Sequence, residues 1–331
     1  MRSLSGAFAL LLFCGCERAD HRHQAPVATS PPEALAPAVE APRPPPSVAS
    51  SPPLSLPVHC TPDATFPSPW ALPEASAAAE VELRRGVREI LVVGDSGRKG
   101  AAMAWSGAGG TRSLVLPLDD KASDDLEGMA WQAEAGGGRL YTLTSSGAVR
   151  RFVLDGAGGL RADGDAYPIG APPISCADLH GINCGKNWEG LCLRSPATRA
   201  RCAGYAASKK ETALYCVVRD GAGRLAVDGQ RAPIVLALDR LMDRKGVLSD
   251  CAFGAPGGPA EDVLLVTTNV FGGSQTYVVD EATGRASPLD VQATASNEAI
   301  AVDREGALYA FLDDNGETSV ATRFACEGWR R

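Results

Sequence analysis

Residues 127–154 read EGMAWQAEAGGGRLYTLTSSGAVRRFVL. An acid-Gly pair opens a short apolar strand, a Gly-rich turn follows, and RLYTLT and AVRRFVL form a hairpin around Ser-Ser-Gly. Apolar residues bounded by Gly and Ser clusters in this way mark short strands and turns, not the 3.6-residue period of a helix. A sheet of a few such strands cannot bury both of its faces alone, so the question is whether the unit recurs.

It recurs. An apolar strand, a small polar or acidic turn and a second strand begin at Glu89 (EILVVGDSGRKGAAMAW), Arg139, Ala213 (ALYCVVRDGAGRLAV), Val263 (VLLVTTNVFGGSQTYVV) and Ala307 (ALYAFLDDNGETSVATRF). Four of the five follow another short strand: EGMAW from Glu127, EGLCL from Glu189, DCAFG from Asp250 and EAIAV from Glu298. The starts lie 50, 74, 50 and 44 residues apart. A four-stranded antiparallel meander of about 40–50 residues is the blade of a β-propeller. The long interval is assigned to two loops, SCADLHGINCGKN before the third blade and RSPATRARCAGYAASKKE within it. A sandwich or jelly roll has Gly-rich alternating strands too, but neither predicts a repeated unit. The expected fold is therefore all-β, a β-propeller over residues 58–331. It has five blades, or six if Cys60 to Leu83 and the C-terminal strand share one.

The ten cysteines fit that plan. Without Cys14 and Cys16 near the N-terminus, eight are left: Cys60, Cys176, Cys184, Cys192, Cys202, Cys216, Cys251 and Cys326. An even number in an exported chain points to disulfides, although eight cysteines allow 105 pairings. Cys176 and Cys184 bracket one short loop. Cys60 and Cys326 sit at the two ends of the domain, where a ring-shaped fold needs its ends joined. No C-x-x-C spacing occurs and histidines are scarce, which argues against zinc. The net charge of −7 without a basic run argues against a nucleic-acid partner.

Acidic residues stand at the heads of the inner strands: Asp124 and Glu127, Glu189, Asp250 and Glu298. If these strands line the channel, the acids converge at one mouth. Crowded carboxylates repel each other, so the cluster raises its pKa values or takes a cation. Oxygen ligands from several strands suit Ca²⁺ or Mg²⁺. An acid-Gly pair also starts a strand simply by accepting backbone N–H bonds in the turn before it, and the sequence leaves the two readings open.

Asp125-Leu126-Glu127-Gly128-Met129-Ala130-Trp131 and Asn297-Glu298-Ala299-Ile300-Ala301-Val302-Asp303, followed by Leu308-Tyr309 and Asp313-Asp314-Asn315-Gly316, resemble the "esterase-like activity of phytase" propellers and the related SdiA-regulated family. The senescence-marker/gluconolactonase propellers also place a metal-binding Glu-Gly here. The resemblance implies a calcium-binding propeller and, at most, hydrolysis of a phosphoester, ester or lactone. It runs through short motifs over most of residues 75–326. Asp250 lacks the Gly, and Ala299 replaces it after Glu298.

Two further motifs point to hydrolases and fail. Gly94-Asp95-Ser96-Gly97 lies after an apolar strand, but no histidine follows His180 to serve as base, and a serine without one is inert. The repeat explains it instead, since Asp95 occupies the same post-strand turn as Ser145, Asp220 and Asp314. His180, beside Asp178, is the one histidine well inside the domain; the pair reads as an acid–base couple or as plain surface loop.

The front end specifies where the chain works. Arg2 and the apolar run Ala7 to Phe13 make a segment too short to span a bilayer, closing on Phe13-Cys14-Gly15-Cys16. This resembles the bacterial lipobox, with residues 1–15 removed and Cys16 lipidated; an ordinary secretory signal is the alternative. Eleven of the forty-one residues from 17 to 57 are Pro and none is aromatic, so residues 16–57 read as an extended linker. Glu17 after the lipid cysteine, in place of a retaining Asp, points to the outer membrane. The expectation is a lipid-anchored, monomeric envelope propeller that binds a partner protein or small ligand, with Ca²⁺ at its mouth; a metal-dependent hydrolase is the alternative.

Overall fold

The computed structural model describes residues 58–66, 70–134, 137–156, 158–196, 200–238, 246–270, 273–291, 297–312 and 318–329. Cys16, the signal and linker, and the Asp313–Gly316 motif lie outside them. Every regular element described is a strand, apart from one 3₁₀ turn at Gly107–Gly109, and no described helix is long and apolar enough to cross a membrane.

After a short strand β1 (His59–Pro62), the chain forms five antiparallel sheets. Blade 1 is β2 (Ala75–Arg84), β3 (Val87–Gly94), β4 (Ala101–Trp105) and β5 (Thr111–Val115). Blade 2 is β6 (Leu126–Glu134), β7 (Gly137–Thr144) and β8 (Ala148–Leu154), edged by β9 (Leu160–Ala162) and β10 (Tyr167–Pro168). Blade 3 is β11 (Trp188–Leu193), β12 (Gly204–Ser208) and β13 (Ala213–Arg219), edged by β14 (Leu225–Val227) and β15 (Ile234–Val235). Blade 4 is β16 (Val247–Phe253), β17 (Leu264–Val270), β18 (Gly273–Asp280) and β19 (Arg285–Pro288). Blade 5 is β20 (Asn297–Val302), β21 (Leu308–Leu312) and β22 (Val320–Glu327), with β1 as its fourth strand.

The inner strands β2, β6, β11, β16 and β20 touch one another in that order and close the ring from β20 to β2. Each sheet packs its apolar faces against its two neighbours, so five cores form, one per interface. Blades 1 and 2 share Leu91, Leu126, Leu140 and Phe152, for example, and blades 3 and 4 share Leu214, Leu248, Val266 and Tyr277. Burial of each sheet on both sides explains why the strands read as almost unbroken apolar runs. The fold is a five-bladed propeller. The six-blade alternative falls, because residues 75–84 are the inner strand of blade 1 and residues 59–62 complete blade 5.

The ends meet in register: β1 pairs with β22 so that Cys60 lies opposite Cys326, and the two are disulfide-bonded. The Cys176–Cys184 bond closes the loop before blade 3, as the spacing suggested. Cys192–Cys251 joins the inner strands of blades 3 and 4, and Cys202–Cys216 ties the entry to β12 onto β13. Four such bonds belong to a chain that matures in an oxidising compartment.

The structure corrects the reading of blade 3. RSPATRARCAGYAASKKE is not wholly a loop, because Gly204–Ser208 within it is the second strand. ALYCVVR is therefore the third strand, and Asp220 follows strand three, not strand two.

Candidate functional site

Each inner strand begins with the same irregularity. Its register against the second strand slips by one residue, between Ala75 and Ala77, Leu126 and Gly128, Trp188 and Gly190, Leu248 and Asp250, and Asn297 and Ala299. A β-bulge of this kind re-aims the extra side chain. The five bulged residues are Ser76, Glu127, Glu189, Ser249 and Glu298, which places three glutamates and two serines at equivalent positions around one mouth. The serines have a repeated role: Ser76 Oγ donates to the Leu126 carbonyl and Ser249 Oγ to that of Asn297, 2.7 Å away in the second case. In both cases the acceptor precedes the next blade's bulge.

This register separates the five acids named from sequence. Glu127, Glu189 and Glu298 share the bulge position. Asp250 is one residue further along, equivalent to Gly128, Gly190 and Ala299, and is turned into the gap between blades. Its Oδ1 accepts from the Cys251 N–H at 2.7 Å and its Oδ2 from the Ile300 N–H at 2.9 Å. Asp124 sits before the strand and accepts the Lys99 N–H at 2.9 Å. The Gly after Glu has a steric cause. A Cβ on Gly128 would stand 2.5 Å from the Leu191 nitrogen, and one on Gly190 would stand 2.8 Å from both Asp250 Oδ1 and the Cys251 nitrogen. Gly190→Ala is therefore expected to lower stability by about 1–3 kcal/mol, read by denaturant unfolding, because backbone must shift. An unchanged midpoint would show that the blades part there freely.

A second ring surrounds the first. The residues paired with the one before each bulge are Gly94, Thr144, Ser208 and Thr268 in blades 1 to 4, and the next residues along the second strand's direction are Asp95, Ser145, Lys209 and Asn269. Ser145 Oγ donates to Asp125 Oδ2, and Asn269 Nδ2 donates to Glu298 Oε1. Lys209 Nζ donates to Glu189 Oε2 at 2.9 Å. Glu189 is 1 % exposed, and its other oxygen, Oε1, is buried without a hydrogen-bonding partner. Asp95, Asp125 and Glu127 have carboxylate oxygens within 4.8 Å of one another, the one group among the described residues close enough to hold a metal ion.

The electrostatics follow from this crowding. Burial first, then the Asp125 carboxylate, pushes Asp95 up to about 6. Burial and the charges of Glu189, Asp95 and Asp125 hold Glu127 well above the carboxylate range. Glu189 is pushed up to about 8 by burial, with Lys209 opposing and Glu298 and Asp125 adding to it. Burial raises Asp250 against its two backbone bonds. Lys209 is raised, because Glu189, Glu298 and Glu127 outweigh its own desolvation.

Further along the inner strands lies a void of about 50 Å³ lined by Met129, Leu191, Phe253 and the Cys192–Cys251 bond. Gly94-Asp95-Ser96-Gly97 is the turn after β3, where Asp95 accepts its neighbour's N–H. His180 is exposed, and it is its backbone N–H that donates to Asp178 Oδ1, at 2.9 Å. Asp95, Asp125, Lys209 and Asn269 were not read from sequence as site residues. Alignment on the register of strand two against the bulge identifies Asp95, Lys209 and Asn269, and Lys209 only once β12 is recognised.

No family model matches the chain, and no curated protein matches it either. Among solved structures it is similar to a luciferin-regenerating enzyme, with 9 % identity over 80 % of this chain and 98 % of that one and a TM-score of 0.40. It is also similar to virginiamycin B lyase from Staphylococcus aureus, with 11 % identity over 67 % of this chain and 59 % of that one and a TM-score of 0.34. The strand order and the ring of inner strands define this chain as an all-β, five-bladed propeller, an architecture that serves both binding modules and enzymes.

Proposed function

We propose that the chain is a lipid-anchored envelope propeller that works as a binding module, with Ca²⁺ at its acidic mouth. The observation carrying this reading is the bulge register, which aims Glu127, Glu189 and Glu298 at one mouth beside Asp95 and Asp125. Three Glu and two Asp offer hard oxygen ligands from four blades, with one Glu189 oxygen unpartnered in the interior. A carboxylate cluster in that state either keeps protons or takes a cation, and Ca²⁺ accepts 6–8 oxygens in irregular geometry. The ion presents a positive charge at the rim, to which an acidic group of an envelope partner or small ligand coordinates. Lipidation of Cys16, outside the described residues, fixes the module to a membrane, read as the outer one.

The test is thermal unfolding in EDTA and with added Ca²⁺. The ion at about 100 times its Kd is expected to add about 2.7 kcal/mol, and Glu127→Gln to remove most of that gain. Equal melting temperatures in both conditions would rule the ion out. Cys16→Ser is expected to move the protein from the membrane to the soluble fraction, with loss of metabolically incorporated palmitate.

One observation favours the second reading, a metal-dependent hydrolase acting on a phosphoester, ester or lactone. Asp95, at about 6, has the proton affinity of a general base near neutral pH and lies beside Asp125 and Glu127. Turnover of a phosphoester, ester or lactone panel that Asp95→Asn lowers at least about 100-fold would establish it; absent turnover, with an envelope partner recovered by pull-down, leaves the binding module.

A further inference from the structure

Lys209 occupies a position where blades 1, 2 and 4 place the shorter Asp95, Ser145 and Asn269, and its ammonium reaches Glu189, a carboxylate the proposed ion would use. We propose that Lys209 is the tethered counter-cation of the mouth, and that a divalent ion enters by displacing its ammonium from Glu189. This rests on the reading of the mouth as a cation site, and it deepens that reading by naming how the site is regulated.

Lys209 is held at its root. Its backbone N–H donates to the Asn187 carbonyl at 2.9 Å, and Ser208 Oγ donates to the Lys186 carbonyl at 2.6 Å. The root is therefore fixed by blade 3, while the side chain is 37 % exposed and ends in a compact, mobile ammonium. Only one Glu189 oxygen is engaged. The ammonium bonds Oε2, and Oε1 stays buried without a partner. A monovalent group with three directional N–H donors on a fixed stem cannot satisfy carboxylates spread over three blades. A divalent ion has no such limit: with Lys209 swung out, Glu189 offers both oxygens, near enough to Glu127, Glu298 and Asp125 to feel their charges. The same ammonium also feels Glu298 and Glu127, so its departure unbalances the whole ring unless a cation replaces it. Neighbouring lysines do not compete for the place, since Lys186 is paired with Glu211 and Lys210 is exposed. Ammonium and metal are thus alternatives in one place. The site has a built-in threshold: it stays closed at low cation concentration and opens when the ion outcompetes the lysine.

Calorimetric titration of Ca²⁺ into the full chain and into Lys209→Met tests this. Lys209→Met is expected to bind at least about tenfold more tightly, because no ammonium has to be displaced. Tight binding by Lys209→Met with none by the wild type would still support displacement while overturning the Ca²⁺-loaded wild-type module. Equal affinities would overturn displacement and leave the cation site standing, and binding by neither would overturn both. Lys209→Gln, which keeps a donor to Glu189, serves if the methionine variant does not fold. A measurement on the unaltered chain checks the movement directly: labelling of Lys209 by an amine-selective reagent, followed by mass spectrometry, is expected to rise several-fold with Ca²⁺ against a matched monovalent salt. Unchanged labelling would overturn displacement.

Discussion

Cys60→Ser is expected to lower the unfolding free energy by about 5 kcal/mol and the melting temperature by about 10–15 °C, the largest loss among the four disulfides. The cause is topological. Blade 5 takes three strands from the C-terminus and its fourth, β1, from the N-terminus, so the ring is closed by pairing alone wherever the cystine is missing. Cys60 and Cys326 are separated by 266 residues, and a crosslink removes unfolded-state entropy in proportion to the logarithm of the loop it closes. The same relation gives about 2.5 kcal/mol for Cys176–Cys184, with a separation of 8, and intermediate values for Cys192–Cys251 at 59 and Cys202–Cys216 at 14. Chemical denaturation of the four serine variants should reproduce this order. Equal losses from Cys60→Ser and Cys176→Ser would mean that β1, Phe66 and Trp70 hold the closure without the bond, Phe66 and Trp70 being packed into the core between blades 5 and 1.

The fold was legible because its signals are redundant. A strand-turn-strand unit repeated, and cysteines at the two ends of the domain matched the need of a ring. Blade 3 resisted for a local reason. Gly204–Ser208 reads GYAAS, with no β-branched residue, yet all five residues are buried because tertiary packing, not strand propensity, sets them there. Missing that strand hid Lys209, which follows it. The site was legible by residue type and illegible by register. Glu127, Glu189 and Glu298 share a position, whereas Asp250 is offset by the single residue that the bulge inserts. A one-residue slip turns a side chain to the opposite face, so an aspartate aligned by eye with three glutamates points between blades and bonds two backbone N–H groups instead. Asp95 was passed over because it looked like ordinary turn chemistry; only the approach of blades 1 and 2 brings it beside Asp125 and Glu127.

The crowded mouth carries a second large consequence. In EDTA the protein is expected to lose roughly 3–5 kcal/mol of stability as pH rises from about 5 to about 8.5, the reverse of ordinary acid denaturation. Glu189 titrates near 8 when folded against a usual value near 4.5, and Glu127 and Asp250 are raised in the same direction. Between those limits the folded chain keeps protons that the unfolded chain has released. The unfolded state then binds fewer protons, so the unfolding free energy falls with rising pH, being fully present below about 4.5 and lost through about 8. Asp63, Glu89 and Asp119 act oppositely, since their hydrogen bonds and arginine partners lower them against burial and their contribution is lost only in stronger acid. The optimum therefore falls near pH 5. Denaturant midpoints at pH 5.5, 7 and 8.5 measure the slope. Glu189→Gln, which keeps the shape of the side chain and discards its charge, is expected to flatten it. Ca²⁺ is expected to flatten it too, by exchanging protons for a metal at the same oxygens, and its stabilisation should grow with pH. A midpoint that rises steadily from pH 5.5 to 8.5 in EDTA would mean that Lys209 and its neighbours already neutralise the ring, leaving neither protons nor a divalent ion a place there.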